Sequence, residues 1–224
     1  MSNRTKPTNR PGPAGANGDK RRNLLVILAV VAVVVVVGIV AALAASENEA
    51  SDAPSFGPVK VQGTILTRLP DGAPDSAEDP VIGQVAPRVE GVDADGEAVV
   101  LGEAGEPTIA FFLAHWCPHC QREVPQVVEL MEEGALDGIR VVGVLTGTDS
   151  SRPNHPPVAW LEREGWQGEI LLDDEKQSAA EAYGLTGYPF AVYLDADGEV
   201  VARTSGERGR DGILALADAI RAGG

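Results

Sequence analysis

The feature that most constrains this chain is an unbroken apolar run of 22 residues, Leu24–Ala45, without a charged or polar side chain. A helix of that length, at about 1.5 Å per residue, crosses a hydrocarbon core of about 30 Å. A lone strand is excluded because it cannot satisfy its backbone in lipid. We therefore predict a transmembrane helix at 24–45. A cleaved signal peptide is the alternative, since Ala42, Ala44 and Ala45 would suit cleavage, although its apolar region normally spans about 7–15 residues.

The charges on either side of the run predict its orientation. Residues 1–23 hold six Lys and Arg against one Asp, a net charge of +5, and are rich in Pro, Gly and Asn. We predict that this stretch is a disordered basic tail. Glu47, Glu49 and Asp52 follow the run. The positive-inside bias then places the N-terminus in the cytoplasm and residues 46–224 outside it.

The rest of the chain is strongly acidic. The formal net charge is -15, so residues 24–224 carry -20 once the +5 of the tail is removed. Phosphate contacts require Lys and Arg, so we expect no nucleic-acid partner. The acidic side chains are explained by a solvated surface. Contact with the membrane is expected only through residues 24–45.

The sequence after the apolar run predicts a linker and one domain. Residues 46–80 contain five prolines among Ser, Asp and Glu, which is typical of an extracytoplasmic linker. Within it, Val59–Leu69 alternates enough to form a short strand that docks on the main domain. Residues 81–224 alternate buried-type strands with helices and end in a hairpin and a helix. This pattern predicts an α/β fold with a mixed central sheet flanked by helices.

Only two cysteines occur, Cys117 and Cys120, and they lie on the first turn of a predicted helix. At that spacing their Cα atoms fall within the range of about 4.4–6.8 Å that a disulfide tolerates. Cys117 opens the helix, where unpaired N–H groups and the helix dipole favour a thiolate. We predict that Cys117 is the nucleophile and that Cys120 resolves the mixed disulfide. Pro118 and a protonated His119 would stabilise the thiolate, and Trp116 would pack at the rim.

Two other uses of the cysteines remain open. Zinc or copper could bind the two thiolates with His115, His119 or His155, but ligands packed into six consecutive residues rarely close a tetrahedron. A purely structural disulfide would close so short a loop that it removes little chain entropy. We therefore expect no metal and no cofactor. His115 by itself is interpreted as a surface residue.

Two stretches carry a family resemblance. Phe111–Cys120 (FFLAHWCPHC) resembles the strand, C-x-x-C and helix of the thioredoxin superfamily, and Gly187–Phe190 (GYPF) resembles its cis-proline loop. Gly83–Pro87 (GQVAP) and Tyr183–Pro189 are similar to the TlpA-like, or redoxin, branch, whose members are commonly anchored outside the cytoplasm by an N-terminal membrane helix. The resemblance implies a thioredoxin-like fold over the main domain.

The same resemblance implies a substrate groove beside the dithiol. Pro189 would follow a cis peptide bond, and the backbone of Tyr188 would pair with a substrate strand. Trp116, Tyr188 and Pro189 would line the groove. The implied partners are cysteine-containing protein substrates and a redox partner that the sequence does not identify, with a membrane protein among the candidates. A non-catalytic module that binds partners in this groove is the alternative from another class.

Three departures from the family bear on function. Phe111 stands where many thioredoxins have a buried acid, so that strand offers no carboxylate to take the proton of Cys120. The dipeptide Pro118-His119 is that of DsbA-like oxidants, and the peroxidatic cysteine loop of peroxiredoxins is missing. We favour a membrane-anchored, extracytoplasmic thiol–disulfide oxidoreductase that oxidises or isomerises protein substrates. The alternative is a TlpA-like disulfide reductase, for example one that supports cytochrome c maturation.

Overall fold

The computed structural model describes residues 28–29, 31–39, 53–69 and 79–222. The chain divides into two compact units, Met1–Glu49 and Ala50–Gly224. In the first, residues 28–29 and 31–39 are helical with exposed apolar side chains. No helix in the described ranges is both long enough and apolar enough to span a bilayer. The basic tail predicted at 1–23, and the remaining positions of the apolar run 24–45, lie outside the described residues.

The second unit is built from eight strands and four helices in its described part. The strands are β1 (Lys60–Gln62), β2 (Arg88–Val92), β3 (Ala98–Leu101), β4 (Thr108–Leu113), β5 (Arg140–Leu145), β6 (Glu169–Leu172), β7 (Phe190–Leu194) and β8 (Val200–Ser205). The helices are α1 (Pro118–Glu132), α2 (Pro157–Arg163), α3 (Ser178–Ala182) and α4 (Gly209–Ala222).

The strands form one mixed sheet in the order β1-β2-β6-β5-β4-β7-β8, with β3 paired to β2. The central strands β4, β5 and β6 are parallel, whereas β7 runs antiparallel to β4 and β8 antiparallel to β7. The predicted mixed central sheet flanked by helices is confirmed. Because β4 and β7 are antiparallel neighbours, with Phe112 opposite Phe190, the loop after β4 and the loop before β7 leave the sheet at the same edge.

Strand β4 separates two apolar layers because successive side chains point to opposite faces. Ile109, Phe111 and Leu113 pack in a cluster that includes buried residues of α1, α2 and α4. Ala110 and Phe112 pack in a second cluster that includes Tyr183 and the buried alanines of α3. All six residues of β4 are buried. Strand β4 is therefore covered on both faces, which gives the site that follows it a rigid support.

Residues 53–69, which the sequence assigned to a linker with a short strand, pack against this sheet. Strand β1 lies within Val59–Leu69 and pairs antiparallel with β2. Leu66 and Leu69 are buried in the second cluster. The Arg203 guanidinium donates to the Thr67 carbonyl oxygen at 2.8 Å. It also forms a fully buried ion pair with Asp79, in which two of its nitrogens lie 2.7 and 2.8 Å from the carboxylate oxygens. These long-range contacts hold the segment on the domain.

The buried ion pair gives a test of this arrangement. In Asp79→Asn, the Arg203 charge stays buried without its counter-ion, so we expect the free energy of unfolding to fall by about 3–5 kcal/mol. Chemical denaturation measures the loss. The matched control is Asp218→Asn, which breaks a solvent-exposed pair with Arg221 and is expected to cost less than about 1 kcal/mol. Equal losses in the two variants would contradict the assigned role.

Candidate active site

The two cysteines lie at the junction of β4 and α1. Cys117 is the N-cap residue of α1, with extended backbone angles (φ -75°, ψ 121°), and Pro118 occupies the first turn. The Cys117 N–H donates to the Ala114 carbonyl oxygen at 2.9 Å, and the Cys117 carbonyl oxygen accepts the N–H of Gln121 at 3.1 Å. Proline suits this position because its missing N–H would have no intrahelical partner. The predicted placement of Cys117 at the helix start is confirmed.

The two sulfurs differ in their surroundings. Both cysteines are free thiols; Cys117 keeps 6% of its surface exposed and Cys120 none. Burial raises the pKa of the Cys120 thiol. The Cys117 thiol donates to the Tyr188 carbonyl oxygen at 3.6 Å, and the Tyr188–Pro189 peptide bond is cis, as the resemblance implied. This hydrogen bond therefore connects the start of α1 to the loop before β7.

Two aromatic rings stand beside Cys117. Trp116 and Tyr188 meet edge to face, with ring centroids 5.8 Å apart. Trp116 Nε1 donates to the Gly147 carbonyl oxygen at 2.8 Å, and the Tyr188 hydroxyl donates to Gln177 Oε1 at 2.8 Å. Burial raises the pKa of Tyr188 to about 12, so this hydroxyl stays protonated and keeps its donor role at neutral pH. Both polar tips are thus fixed by partners that the sequence spacing did not reveal.

His119 is an exposed residue whose Nδ1 faces an ion pair. Nδ1 lies 3.0 Å from Glu207 Oε2 and 2.7 Å from Arg122 Nη2, while Arg122 and Glu207 are 2.7 Å apart. The hydrogen bond from Arg122 lowers the pKa of Glu207, and a second one from His119 acts in the same direction. Among the described residues, the His119 ring makes its hydrogen-bond contacts with Arg122 and Glu207 and not with the Cys117 sulfur. The thiolate-stabilising role of His119 stays a prediction.

The interpretation of His115 as a surface residue is wrong, because its side chain is fully buried. Its Nδ1–H donates to the Pro153 carbonyl oxygen at 2.6 Å, and its Nε2 accepts the N–H of Asp149 at 3.2 Å. Burial is the main cause that lowers the pKa of this imidazole. The ring is enclosed because the chain after β5 folds over the end of β4. With both nitrogens used by backbone groups, His115 is not arranged as a metal ligand.

Glu123 is a buried carboxyl group that the sequence reasoning missed. It lies one turn after Cys120 on the buried face of α1, and its Oε1 accepts the backbone N–H groups of Arg208 and Gly209 at 2.5 and 3.3 Å. Burial raises the pKa of Glu123. The Glu123 charge in turn contributes to the raised pKa of Cys120. The i, i+3 spacing of Cys120 and Glu123 was the signal that could have indicated this pair.

Solved structures share this fold. A DsbF homologue from Corynebacterium diphtheriae superposes with a TM-score of 0.56 at 18% identity, over 70% of this chain and 99% of that one. At that identity the likeness establishes the fold alone. Together with the dithiol at the start of α1 and the cis-proline loop, it defines a protein of the thioredoxin superfamily.

The particular family follows from the sequence. Residues 82–203, more than half of the chain, match the AhpC/TSA family, so the chain belongs to this redoxin family. The thiol-disulfide oxidoreductase ResA of Halalkalibacterium halodurans is 26% identical over 110 residues, which are 49% of this chain and 60% of ResA. The thiol:disulfide interchange protein DsbE of Haemophilus influenzae is 29% identical over 107 residues, 48% of this chain and 55% of DsbE. The matches thus span less than two thirds of either relative.

A prediction follows for Glu123→Gln. The amide oxygen can still accept the N–H groups of Arg208 and Gly209, so we expect the fold to survive. If the carboxylate takes the proton of Cys120, the step in which Cys120 resolves a mixed disulfide slows by about 10-fold or more. Stopped-flow measurement of that step at neutral pH tests this, and an unchanged rate would assign Glu123 to helix capping alone.

The pH dependence of the free energy of unfolding tests separately, with the same variant, whether folding raises the pKa of Glu123. A carboxyl group whose pKa is raised on folding contributes stability that is lost as the pH rises above its unfolded value of about 4.3. The glutamine has no such titration. As the pH rises from 4 to 8, we therefore expect the free energy of unfolding of Glu123→Gln to increase relative to that of the wild type. A constant difference across this range would show that Glu123 titrates normally.

Proposed function

We propose that this protein is a thiol–disulfide oxidoreductase in which Cys117 is the nucleophile and Cys120 the resolving thiol. The observation that carries the proposal is the approach of the Cys117 sulfur to the Tyr188 carbonyl oxygen, 3.6 Å away, beside the cis-proline. Of the two cysteines, only Cys117 retains a little exposed surface through which a substrate could approach, and Cys120 is fully enclosed. The relatives named thiol-disulfide oxidoreductase and thiol:disulfide interchange protein support the same reaction.

The reaction is a pair of thiol–disulfide exchanges. When the enzyme oxidises a substrate, a substrate thiolate attacks the sulfur of Cys117 in the Cys117–Cys120 disulfide, and the Cys120 thiolate leaves. A second substrate thiolate then attacks the substrate sulfur of the mixed disulfide, and the Cys117 thiolate leaves. Two electrons and two protons pass to the enzyme, and the substrate gains a disulfide. Reduction is the same sequence in reverse.

The direction of electron flow is proposed as oxidation or isomerisation of protein substrates. A stabilised thiolate at Cys117 makes the disulfide more oxidising. One cationic side chain supports this direction: the hydrogen bond to Glu207 is the main cause that raises the pKa of Arg122, and attraction by a Cys117 thiolate adds to it. His119, which lies between the cysteines in the sequence, keeps its predicted thiolate-stabilising role. The TlpA-like resemblance supports the alternative of a reductase. Cysteine-containing proteins are the proposed substrates, and a separate redox partner would recycle the dithiol.

We propose that residues 24–45 anchor the chain in the membrane with the dithiol outside the cytoplasm. The support is the 22-residue apolar run with Lys20, Arg21 and Arg22 before it and Glu47 after it. Topology reporters fused after residue 23 and after residue 224 test the orientation. Activity of a periplasm-dependent reporter at the C-terminal fusion alone is the expected result.

The central prediction concerns the two cysteines. Cys117→Ser removes the attacking sulfur, so we expect exchange with an insulin or reduced-peptide substrate to fall to background. Cys120→Ser keeps that sulfur but cannot resolve. With a disulfide substrate such as insulin, Cys117 attacks one sulfur and the other leaves as a thiolate, so we expect a long-lived mixed disulfide that is visible on a non-reducing gel. Each variant replaces one sulfur atom of the wild type with oxygen, so each serves as the control for the other. Full turnover by Cys117→Ser, or a trapped complex in Cys117→Ser instead of Cys120→Ser, would overturn the assignment.

A further inference from the structure

We infer that Arg152 is a specificity residue that selects substrates carrying a carboxylate next to the reacting cysteine. This inference rests on the proposed function, because it names the substrate class of the same site. The observations concern the segment 147–156, which we call the site loop, and its attachment beside Cys117.

The site loop is fixed in place by the two residues that precede Cys117. His115 bonds the loop through both ring nitrogens, at the Pro153 carbonyl oxygen and at the Asp149 N–H. The Asn154 side chain donates to the His115 carbonyl oxygen at 3.2 Å. Trp116 Nε1 donates to the Gly147 carbonyl oxygen at 2.8 Å. Four hydrogen bonds therefore hold this loop against the strand end that carries the nucleophile.

The loop places a cation over the aromatic rim. The Cζ atom of Arg152 lies over the Trp116 ring, 4.2 Å from its centroid, in a cation–π contact. A guanidinium held by the face of a ring can still donate through its N–H groups to a carboxylate. Since Trp116 adjoins Cys117 in the chain, this cation lies at the margin of the substrate groove.

Within the part of the chain that the structure describes, the Arg152 guanidinium forms no direct ion pair or hydrogen bond with a carboxylate. The nearest candidate in sequence is Asp149, whose Oδ1 accepts the N–H and the hydroxyl of Ser151. These hydrogen bonds are the main cause that lowers the Asp149 pKa, and the Arg152 charge adds to it by longer-range attraction. Arg88, Arg140, Arg203 and Arg221 in the same domain each pair with an acidic side chain. Arg152 is exposed, so the N–H edges of its guanidinium face solvent and are open to a carboxylate from a substrate.

A carboxylate is the ligand that this arrangement fits. A planar guanidinium with fixed orientation binds a carboxylate through two parallel N–H bonds, and such charge-assisted pairs are stronger than neutral hydrogen bonds. The chain has a net charge of -15, so it repels acidic peptide segments in general. The Arg152 cation at the margin of the groove would attract such a segment locally. An Asp or Glu flanking the substrate cysteine would reach Arg152 when the cysteine sulfur reaches Cys117.

The test uses the reduced full chain and three peptides of sequence X-Cys-X, in which X is Glu, Gln or Lys, each carrying the cysteine as a neutral 2-pyridyl disulfide. Cys117 attacks the peptide sulfur, 2-thiopyridone leaves and is followed by absorbance, and Cys120 then releases the peptide thiol. Each rate is divided by the rate of the same peptide with 2-mercaptoethanol, which removes intrinsic differences in reactivity. We expect the wild type to react about 5-fold faster with the Glu peptide than with the Gln peptide.

Three variants sharpen the result. Arg152→Gln is expected to lose the preference for Glu while keeping its rate with the Gln peptide, and Arg152→Glu is expected to prefer the Lys peptide. Arg221→Gln removes an arginine that donates to carbonyl groups beyond the far end of α1, and is expected to behave as the wild type. The wild-type preference is also expected to shrink at high salt.

The outcomes separate the inference from the proposed function. A wild type that reacts equally with all three peptides, or an Arg152→Glu variant that still prefers Glu, overturns the role of Arg152 and leaves the oxidoreductase assignment standing. A chain that releases no 2-thiopyridone from any peptide, the neutral one included, overturns the proposed function and the inference with it.

Discussion

The candidate site depends on the antiparallel pairing of β4 with β7. Phe112 lies opposite Phe190 in this pairing, so the chain leaves β4 toward Cys117 at the same edge where it arrives at β7 from Pro189. Burial of β4 on both faces makes that edge rigid. The distance of 3.6 Å between the Cys117 sulfur and the Tyr188 carbonyl oxygen follows from this strand order, although 71 residues separate the two. Without the pairing, the dithiol would begin a helix with no groove beside it.

The two thiols of the dithiol lie in different surroundings. Cys117 caps the helix and retains a little exposure, while Cys120 is enclosed one turn later with Glu123 on the same helical face. A nucleophile near the surface and a buried thiol one turn deeper suit the two halves of an exchange reaction, because attack and resolution then occur at different depths. Glu123 on α1 places a carboxyl group close enough to act on the pKa of Cys120, whereas Phe111 offers none from β4. The same carboxyl receives the first N–H groups of α4, so helix packing and the proposed proton transfer share one group.

Local patterns predicted most of the elements and part of the site. The apolar run at Thr108–Leu113 predicted β4 with its bounds, and the C-x-x-C spacing predicted that the nucleophile starts a helix. The family resemblance, and not periodicity, indicated the cis bond before Pro189. Contacts between distant residues escaped prediction for a physical reason. The burial of His115 depends on a loop 34–38 residues away, and the Asp79–Arg203 pair spans 124 residues, so no local spacing encodes either one.

The central claim is that Cys117 and Cys120 form one reversible two-electron couple. Equilibration of the full chain in glutathione buffers of graded ratio, followed by acid quench and alkylation, counts the free thiols at each potential. The account predicts a single two-electron transition with a midpoint between those of thioredoxin and DsbA, about -270 and -120 mV, and nearer the second. Thiols that stay unoxidised across that whole range, or that form mixed glutathione adducts without closing a disulfide between Cys117 and Cys120, would contradict it.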